Sequence, residues 1–570
     1  MAYIETLNGF NIAPKDAVRA FATVADMQAA TDLAAGMTCH TNGFHEEGDG
    51  GAAYYAISTE GDANGMDVLA LQNSLYAALV VTEPYVTPEQ FGAYGDGEKD
   101  DTDALKRMLA ASSWCLMDGS YLTSEMLELN GTHILSKTGT IGFYDKSTYG
   151  IAGLFSLAGE AAIEGLTFDC EHDSAYADST QQPLGVAIYA NGYSTYLSVK
   201  NCTFKNVETC AMYLYQNGAS MDIQGCQFLP DKANAYLCDY IRLMSAGGVA
   251  VVTIADCYFK GIGLTASDNT KNYSGIYAAN FNPKSLTIST CTFDSIGRQG
   301  NHRLGAIDFY VDVSNATIMG NRFVNGAWQQ VRFNRCRNII FSGNDIEINA
   351  SAYRMSEAFI IVSKTDDVFD VRNISITNNR LRSNTDGAGS TSTSGVTYGI
   401  QLSVSGVATR VMNSINIDRN EIVGYVINPI YFDAFAGELA VCENVIRCSG
   451  APYAIVFAGT TGYDSLLIDI LGNTIDGNGS GGITISFSSV GRCLIARNTF
   501  ACNNWAIKLS NGAAIDILNN YIVRSSVNNG IDGSGARVGF NNFMGFTATN
   551  LLLYNVTMKF QNYSDGTLLS

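Results

Sequence analysis

Charge is what this 570-residue chain is shortest of. Lys, Arg, Asp and Glu make up 15% of it, well under the usual quarter, so helices with ion-paired faces are not its main material. Proline is scarcer still, 8 residues against 57 glycines. The five histidines (40, 45, 133, 172 and 302) are scattered, and the 14 cysteines include no Cys-x-x-Cys pair. Zinc-ligand spacing is therefore missing, and no metal or other cofactor is expected. There is no run of basic residues, and the formal net charge is −20. That excludes nucleic acid, whose binding needs clustered Lys and Arg. It argues more weakly against a strongly anionic polymer, because a local basic patch overrides the net field. No apolar run approaches membrane-spanning length, so membrane insertion is not expected. The opening MAYIETLNGFNIAPKDAVRA lacks a basic start followed by an apolar core, so no secretory signal is read there. The thiols are expected to be reduced and buried, in a chain made in a cytoplasm.

What the chain has in quantity is an internal repeat, the feature that decides the fold. The fragments KNCTFKN, QGCQFLP, ADCYFKG, STCTFDS, MGNRFVN, SGNDIEI, TNNRLRS, DRNEIVG, CENVIRC, LGNTIDG, ARNTFAC, LNNYIVR and GFNNFMG each place Cys or Asn two positions before an aromatic or aliphatic anchor. The anchors run from Phe204 to Phe543 at intervals of 21 to 41 residues. The shortest intervals set a unit of 21–25 residues, and the longer ones add a loop. Two positions before the anchors stand Cys202, Cys226, Cys257 and Cys291, then nine asparagines from Asn321 to Asn541. Stacked strands lie roughly 4.8 Å apart, so residues of equal phase form a column, and an Asn column can bond its amides along the stack. A second alternating strand follows about ten residues after each anchor. The pattern specifies a right-handed single-stranded parallel β-helix, right-handed by the crossover rule. Regular Leu spacing and four-strand blades, the marks of other repeat folds, are missing. Ahead of the repeats, Asp100, Asp101 and Thr102 offer N-caps, and Leu105, Met108 and Leu109 form a stripe. A short helix over about 102–112 is expected there, plugging the open end. The organisation expected is a small β-rich leader over 1–86, the β-helix over 87–545, and a C-terminal strand and tail over 546–570.

FGAYGDGEKDDTDAL, from Phe91, followed by MDGSYLTS, resembles the start of the pectate-lyase-like domain of phage tailspikes. In that family a Phe-Gly-Ala-x-Gly-Asp-Gly stretch and an Asp-Asp-Thr step precede a capping helix. The upstream LAAGMTCHTNGFHEEGDGGAAYYAIS resembles the leader found before such domains. The resemblance implies a homotrimer on the phage tail, attached through its N-terminal region to a tail or baseplate protein. It implies a protein of the virion that acts outside the cell and binds, and usually cleaves, a bacterial surface polysaccharide. Hydrolases and lyases share this fold, so the reaction is left open, and no catalytic motif is carried over. The GDGEKDD stretch lacks the spacing and closing Glu of a calcium loop, and is read as turn and cap.

The candidate site comes from phase. In GAIDFYVDV, Ile307, Phe309 and Val311 should point inward and Asp308, Tyr310 and Asp312 outward. Aligning the second strands puts Arg242, Tyr277, Asp308, Arg332, Ile360, Gln401 and Tyr431 in one outward row, and Met244, Ala279, Tyr310, Asn334 and Val362 in the next. The early half of this face is rich in Arg, Tyr and Asp, and the later half turns to Thr, Ser and Val, unlike a merely solvated face. The expected substrate contacts are Arg242, Tyr277, Tyr310, Arg303, Trp328, Arg332 and Asn334. The expected catalytic groups are Asp308, Asp312, Asp239 and His302. Flanking arginines should keep Asp308 ionised. Asp308 and Asp312 would stand about 13 Å apart along one strand, too far for a hydrolytic pair, so a partner such as Asp268 or Asp239 from a bordering loop fits better. His302 is chemically suited to general acid–base work. Three functions remain open: an endo-acting glycoside hydrolase, slightly favoured; a lyase on a uronate polymer, with Tyr277, His302, Arg242 and Arg332 as its groups; and a non-catalytic receptor-binding adhesin. A structural spacer would have a bland outer face.

Overall fold

The structure, a computed structural model, describes residues 6–7, 10–11, 18–144, 153–171, 186–192, 196–207, 210–216, 220–230, 238–246, 250–261, 273–296, 305–326, 329–348, 356–365, 370–383, 396–404, 412–433, 437–449, 452–458, 463–477, 481–486, 490–502, 504–510, 514–524, 529–533, 536–544, 551–554, 558–564 and 566–569. It divides into two units, Met1–Leu214 and Tyr215–Ser570.

In the first unit a five-stranded sheet runs in the order Arg19–Phe21, Thr38–Thr41, Ala53–Ser58, Tyr76–Val80 and Val68–Ala70. Ala53, Tyr55 and Ile57 alternate inward onto a core with Met27, Cys39 and Leu69, as a half-buried strand requires. The Asp49 carboxylate gathers the backbone N–H groups of Phe44, His45, Glu46 and Gly51, closing the connection between the second and third of these strands. The expected plug is a helix over Thr102–Ala111. Leu105 and Met108 are buried, and the helix packs on the strand Leu127–Leu129. Of the expected cap candidates, Asp100 bonds the helix start and Asp101 does not. Asp100 Oδ1 accepts the Thr102 N–H at 3.0 Å and its Oδ2 the Ser124 hydroxyl at 2.6 Å. Asp101 is instead buried, accepting the Tyr94 N–H at 2.7 Å. Burial pushes its carboxyl up to about 6, against the pull of backbone N–H groups. Parallel strands wind in three sheets from residue 96 onward, one of them carrying a Phe168–Phe204 stack.

The second unit is a parallel β-helix, the fold class expected. The windings are built on three strands, except that the long strand Glu421–Asp433 serves the second and third sheets at once. The first sheet runs from Ser220–Gln224 to Met558–Phe560, the second from Gln227–Pro230 to Asn562–Ser564, and the third from Cys238–Ala246 to Leu551–Tyr554. The third sheet holds the candidate site on β1 (Cys238–Ala246), β2 (Tyr273–Phe281), β3 (Ile307–Val311), β4 (Gln329–Asn334) and β5 (Ser356–Lys364).

The anchors form the inner row of the second sheet. Phe228, Phe259, Phe293 and Phe323 stack face to face at 4.6, 4.7 and 4.8 Å. Ile346, Leu381, Ile422 and Ile446 continue the row. Full burial of each such side chain stabilises by about 1.5–3 kcal/mol. The amide column is present as expected. Asn420 Oδ1 accepts both the backbone N–H (3.1 Å) and the Nδ2–H (2.9 Å) of Asn379, while its own Nδ2 donates to Ile376 O and to Asn444 Oδ1. The pattern repeats from Asn321 and reaches Asn562, one rung beyond the sequence assignment. The cysteines above it are free thiols, as expected; Cys257 Sγ, for instance, donates to Ala255 O at 3.2 Å.

Directly before each column residue, from Cys226 to Asn541, the chain takes a left-handed turn with φ between +53° and +67°. Gly320 and Gly343 do this at no steric cost. Thr290, Arg419 and Phe540 do it against a penalty of roughly 1–2 kcal/mol each. That single residue folds the first sheet into the second and turns the column side chain inward, where it meets its neighbours.

Candidate functional site

The third sheet brings the expected row together. Arg242 stands opposite Tyr277, Tyr277 opposite Asp308, and Asp308 opposite Arg332. Four residues spread over about 90 positions of sequence thus become neighbours on successive strands of β1 to β4. Beyond β4 the row differs from the alignment made on sequence. Arg332 pairs with Ile361, and Asn334 with Ser363, rather than with Ile360 and Val362. The reason lies in Phe359-Ile-Ile-Val362, an unbroken apolar run buried throughout; such a run carries no alternation from which to read phase.

A register shift between Ala278 and Ala279 pairs Ala279 with Val311 and leaves Tyr310 as the extra residue. A bulge of this kind re-aims a side chain, and Tyr310 is 44% exposed. Its ring lies 6.0 Å from that of Tyr277. Arg242 sits over Tyr277 at 5.6 Å and Arg332 over Tyr310 at 5.1 Å, both within cation–π range.

The two carboxylates lie beneath these groups. Asp308 is fully buried and is gripped by Arg332 in a fork, Nε to Oδ1 and Nη2 to Oδ2, each 2.7 Å. Asp239 is also buried, and its Oδ2 accepts from Nε (2.8 Å) and Nη2 (2.6 Å) of Arg242. This corrects three expectations. Asp239 belongs to β1, not to a bordering loop. Arg242 serves Asp239, so among the described residues Asp308 has one arginine partner and not two. Arginine does not hold Asp308 below the usual range either: burial pushes its carboxyl up to about 6, Arg332 pulls it down, and the charge of Asp239 adds to the rise. Asp239 is raised for the same first reason, burial, opposed by Arg242. The Tyr277 phenol is pushed up by burial and then by the charges of Asp239 and Asp308.

Two further residues sit differently from expectation. Asp312 is past the end of β3, in a left-handed turn with φ +46°. It accepts from Asn282 Nδ2 at 3.0 Å and lies 3.6 Å from Arg337, so the strand spacing assumed for an Asp308–Asp312 pair does not apply. Asn334 is buried with both ends of its amide in use, Nδ2 on Tyr310 O and Oδ1 taking the hydroxyls of Ser363 and Thr365. It holds the Tyr310 bulge instead of facing out. Asn282 and Thr365 went unnoticed in the sequence because they follow strand ends, where alternation stops, and Arg337 because it opens a strand of the first sheet, whose rows were not aligned. His302, Arg303, Trp328 and Asp268 lie outside the described residues.

Chemically, the face offers guanidinium N–H groups and phenols to solvent, with acids as their supports. Among the described residues, no three His, Cys, Asp or Glu side chains converge to hold a metal ion.

No protein-family model matches the chain, and no curated protein sequence matches it. Solved structures similar to it include phage tailspikes and parallel β-helix enzymes. The enzymatically active domain of tailspike protein 2 of bacteriophage CBA120 is 11% identical over 80% of this chain and 57% of that one, with a TM-score of 0.40. The catalytic unit of a GH87 α-1,3-glucanase from Streptomyces thermodiastaticus is 12% identical over 74% of each, with a TM-score of 0.41. PfbA, a surface adhesin of Streptococcus pneumoniae, is 17% identical over 66% of this chain and 91% of that one, with a TM-score of 0.37. The chain spans 57% of the length of the first of these.

Proposed function

We propose that this chain binds a bacterial surface polysaccharide across β1 to β4 and cleaves it as an endo-acting glycoside hydrolase, in the manner of the tailspikes its Phe91–Thr102 motif resembles. The observation that carries the reading is the row Arg242, Tyr277, Asp308, Arg332, flanked by the bulged Tyr310. Aromatic faces take sugar rings, and guanidinium groups take their oxygens. Asp308 is the carboxyl in the middle of the row, and a carboxyl raised to about 6 is suited to general acid work near neutral pH. It acts on substrate only after Arg332 swings off, so Arg332 is the gate in this scheme. The raised phenol of Tyr277 counts against that residue as a lyase base. The adhesin reading has its own support: the fork on Asp308 occupies both oxygens, which suits a carboxylate that only organises an arginine.

Incubation with a panel of capsular polysaccharides, reading new reducing ends and the ultraviolet absorbance of unsaturated uronates, separates the readings. Hydrolysis gives reducing ends without that absorbance, and lyase action gives both. The Asp308→Asn variant is expected to lose cleavage at least 100-fold while still binding. Undiminished cleavage by that variant removes Asp308 from the mechanism, and binding without any product leaves the adhesin.

A further inference from the structure

We propose that the glycan taken by this face is anionic, carrying carboxylate groups, and that in the binding step, before Arg332 swings off for cleavage, the Asp239 and Asp308 carboxylates hold Arg242 and Arg332 with their cationic edges outward. The proposal rests on the reading above that the face takes a polysaccharide. It starts from an asymmetry common to both ion pairs. The acid side chains are 4% and 0% exposed, and their arginines 28% and 16%. A sugar hydroxyl is both donor and acceptor, so a face built for neutral sugars needs both kinds of partner. Here the row turns its acceptors inward: the two carboxylates are buried, and the Asn334 amide is used up at both ends. Among the described residues the row leaves at the surface two phenols, which donate and accept, and guanidinium N–H groups, which only donate. Groups of that kind are matched by ligand acceptors, and best by charged ones, since hydrogen bonds between ionised partners are roughly twice as strong as neutral ones.

The arginines are also held before any ligand arrives. Each is fixed from below by a carboxylate and from the side by a tyrosine ring. A planar cation immobilised in this way loses little freedom on binding, which is where long side chains usually forfeit affinity. Arg242 and Arg332 are three strand steps apart, roughly 14 Å. They therefore meet two acidic sugars of one chain, not one carboxylate between them. The net charge of −20 does not oppose this at contact distance, because exposed charges beyond about 8 Å are screened at physiological salt.

The test uses the full-length protein and whichever polysaccharide of the panel it binds. The carboxyl groups of that polymer are reduced to primary alcohols by carbodiimide activation and borohydride, which leaves the backbone and linkages in place. Calorimetric titration is expected to show the reduced polymer binding at least tenfold more weakly. Arg332→Gln and Arg242→Gln should each lower the ratio of native to reduced affinity. Asp308→Asn, which keeps the arginine but releases it, should lower the same ratio by less, a change that a purely structural acid would not produce. Circular dichroism establishes that the variants fold; Arg332→Lys, which keeps the charge, should retain part of the preference. Equal binding of native and reduced polymer, a bound polymer that has no acidic sugar, or a ratio unmoved in both glutamine variants overturns the inference while leaving the proposed function standing. Failure to bind any polymer of the panel overturns both.

Discussion

Two stretches of the second unit use the same winding with different internal bonding. In the windings of Cys226, Cys257 and Cys291 the column holds thiols, and the row beside it is a phenylalanine stack. From Asn321 onward the column is a chain of amides, and the row becomes mainly Ile and Leu. A stack of rings resists separation mainly through apolar burial. An amide ladder does so through directional bonds that fix one vertical register. The buried acids Asp239 and Asp308 belong to the thiol windings, and the change of bonding falls where Asn321 Oδ1 meets Cys291 N–H at 2.9 Å. The Asp308–Arg332 fork bridges the same junction, since Asp308 follows Cys291 and Arg332 follows Asn321. The candidate site thus sits where apolar packing gives way to the ladder. The difference teaches that a uniform backbone leaves the choice of internal bonding to one residue per winding.

The largest effect expected from breaking this comparison is in the ladder. Asn420→Ala removes the acceptor of two buried donors on Asn379. Each buried group left without a partner costs about 1–3 kcal/mol, so the substitution should cost about 4 kcal/mol. Native-state hydrogen exchange at the Asn379 amide reads this locally, and avoids treating so long a chain as two-state. Cys257→Ala, the matching change among the thiols, loses only weak S–H contacts and a small volume, and should cost about 1 kcal/mol. Equal losses at the two positions would erase the distinction between the stretches.

A smaller effect, dependent on pH, belongs to the thiol windings. Asp308 has its folded carboxyl raised to about 6 from 3.8, so the folded state holds a proton that the unfolded state releases earlier. Stability from this group is therefore greatest in acid and declines as pH rises from about 4 to 6, then levels off. Asp308→Asn cannot ionise. Its stability relative to the parent should improve by up to about 3 kcal/mol between pH 4 and pH 7, on top of a constant loss from the Arg332 left unpaired. Exchange or thermal unfolding at several pH values measures the difference. A difference independent of pH would mean that the Arg332 fork fully offsets the burial.

How much of this was legible beforehand follows from side-chain period. The column and the anchors were readable because each unit repeats Cys or Asn two places before an apolar residue, and repetition survives loops of any length. The first sheet was not singled out: along its outer row Asp222, Thr253, Ile340, Asn416 and Ala440 share no one chemical type. The left-handed corner escaped notice because Gly, Asp, Thr, Arg, Glu and Phe all occupy it; the geometry is common and the residue type is not. At the site, phase predicted which residues meet. It could not predict depth. Asp308 points outward, as alternation requires, yet the long side chain of Arg332 folds over it, and a period of two carries no information about the height of a neighbour.

The finest test of the comparison extends the ladder by one rung. An asparagine at Cys291 would find the groups every ladder member uses. Its Nδ2 would meet Asn321 Oδ1 and Ile254 O, the carbonyl the Cys291 thiol now faces at 3.7 Å, and its Oδ1 would meet the Cys257 N–H as Asn321 Oδ1 now meets that of Cys291. Cys291→Asn should therefore lie within about 1 kcal/mol of the parent. Cys257→Asn alone puts the same amide against the sulfur of Cys291, a weak acceptor, and strands a buried N–H at about 1–3 kcal/mol. The double substitution should recover most of that loss, so a double-mutant cycle would show favourable coupling between adjacent rungs. If Cys291→Asn costs as much as Cys257→Asn, or the pair is merely additive, the ladder is not what selects asparagine. The thiols would then mark a constraint other than hydrogen bonding, with the closeness of the phenylalanine stack as the first place to look.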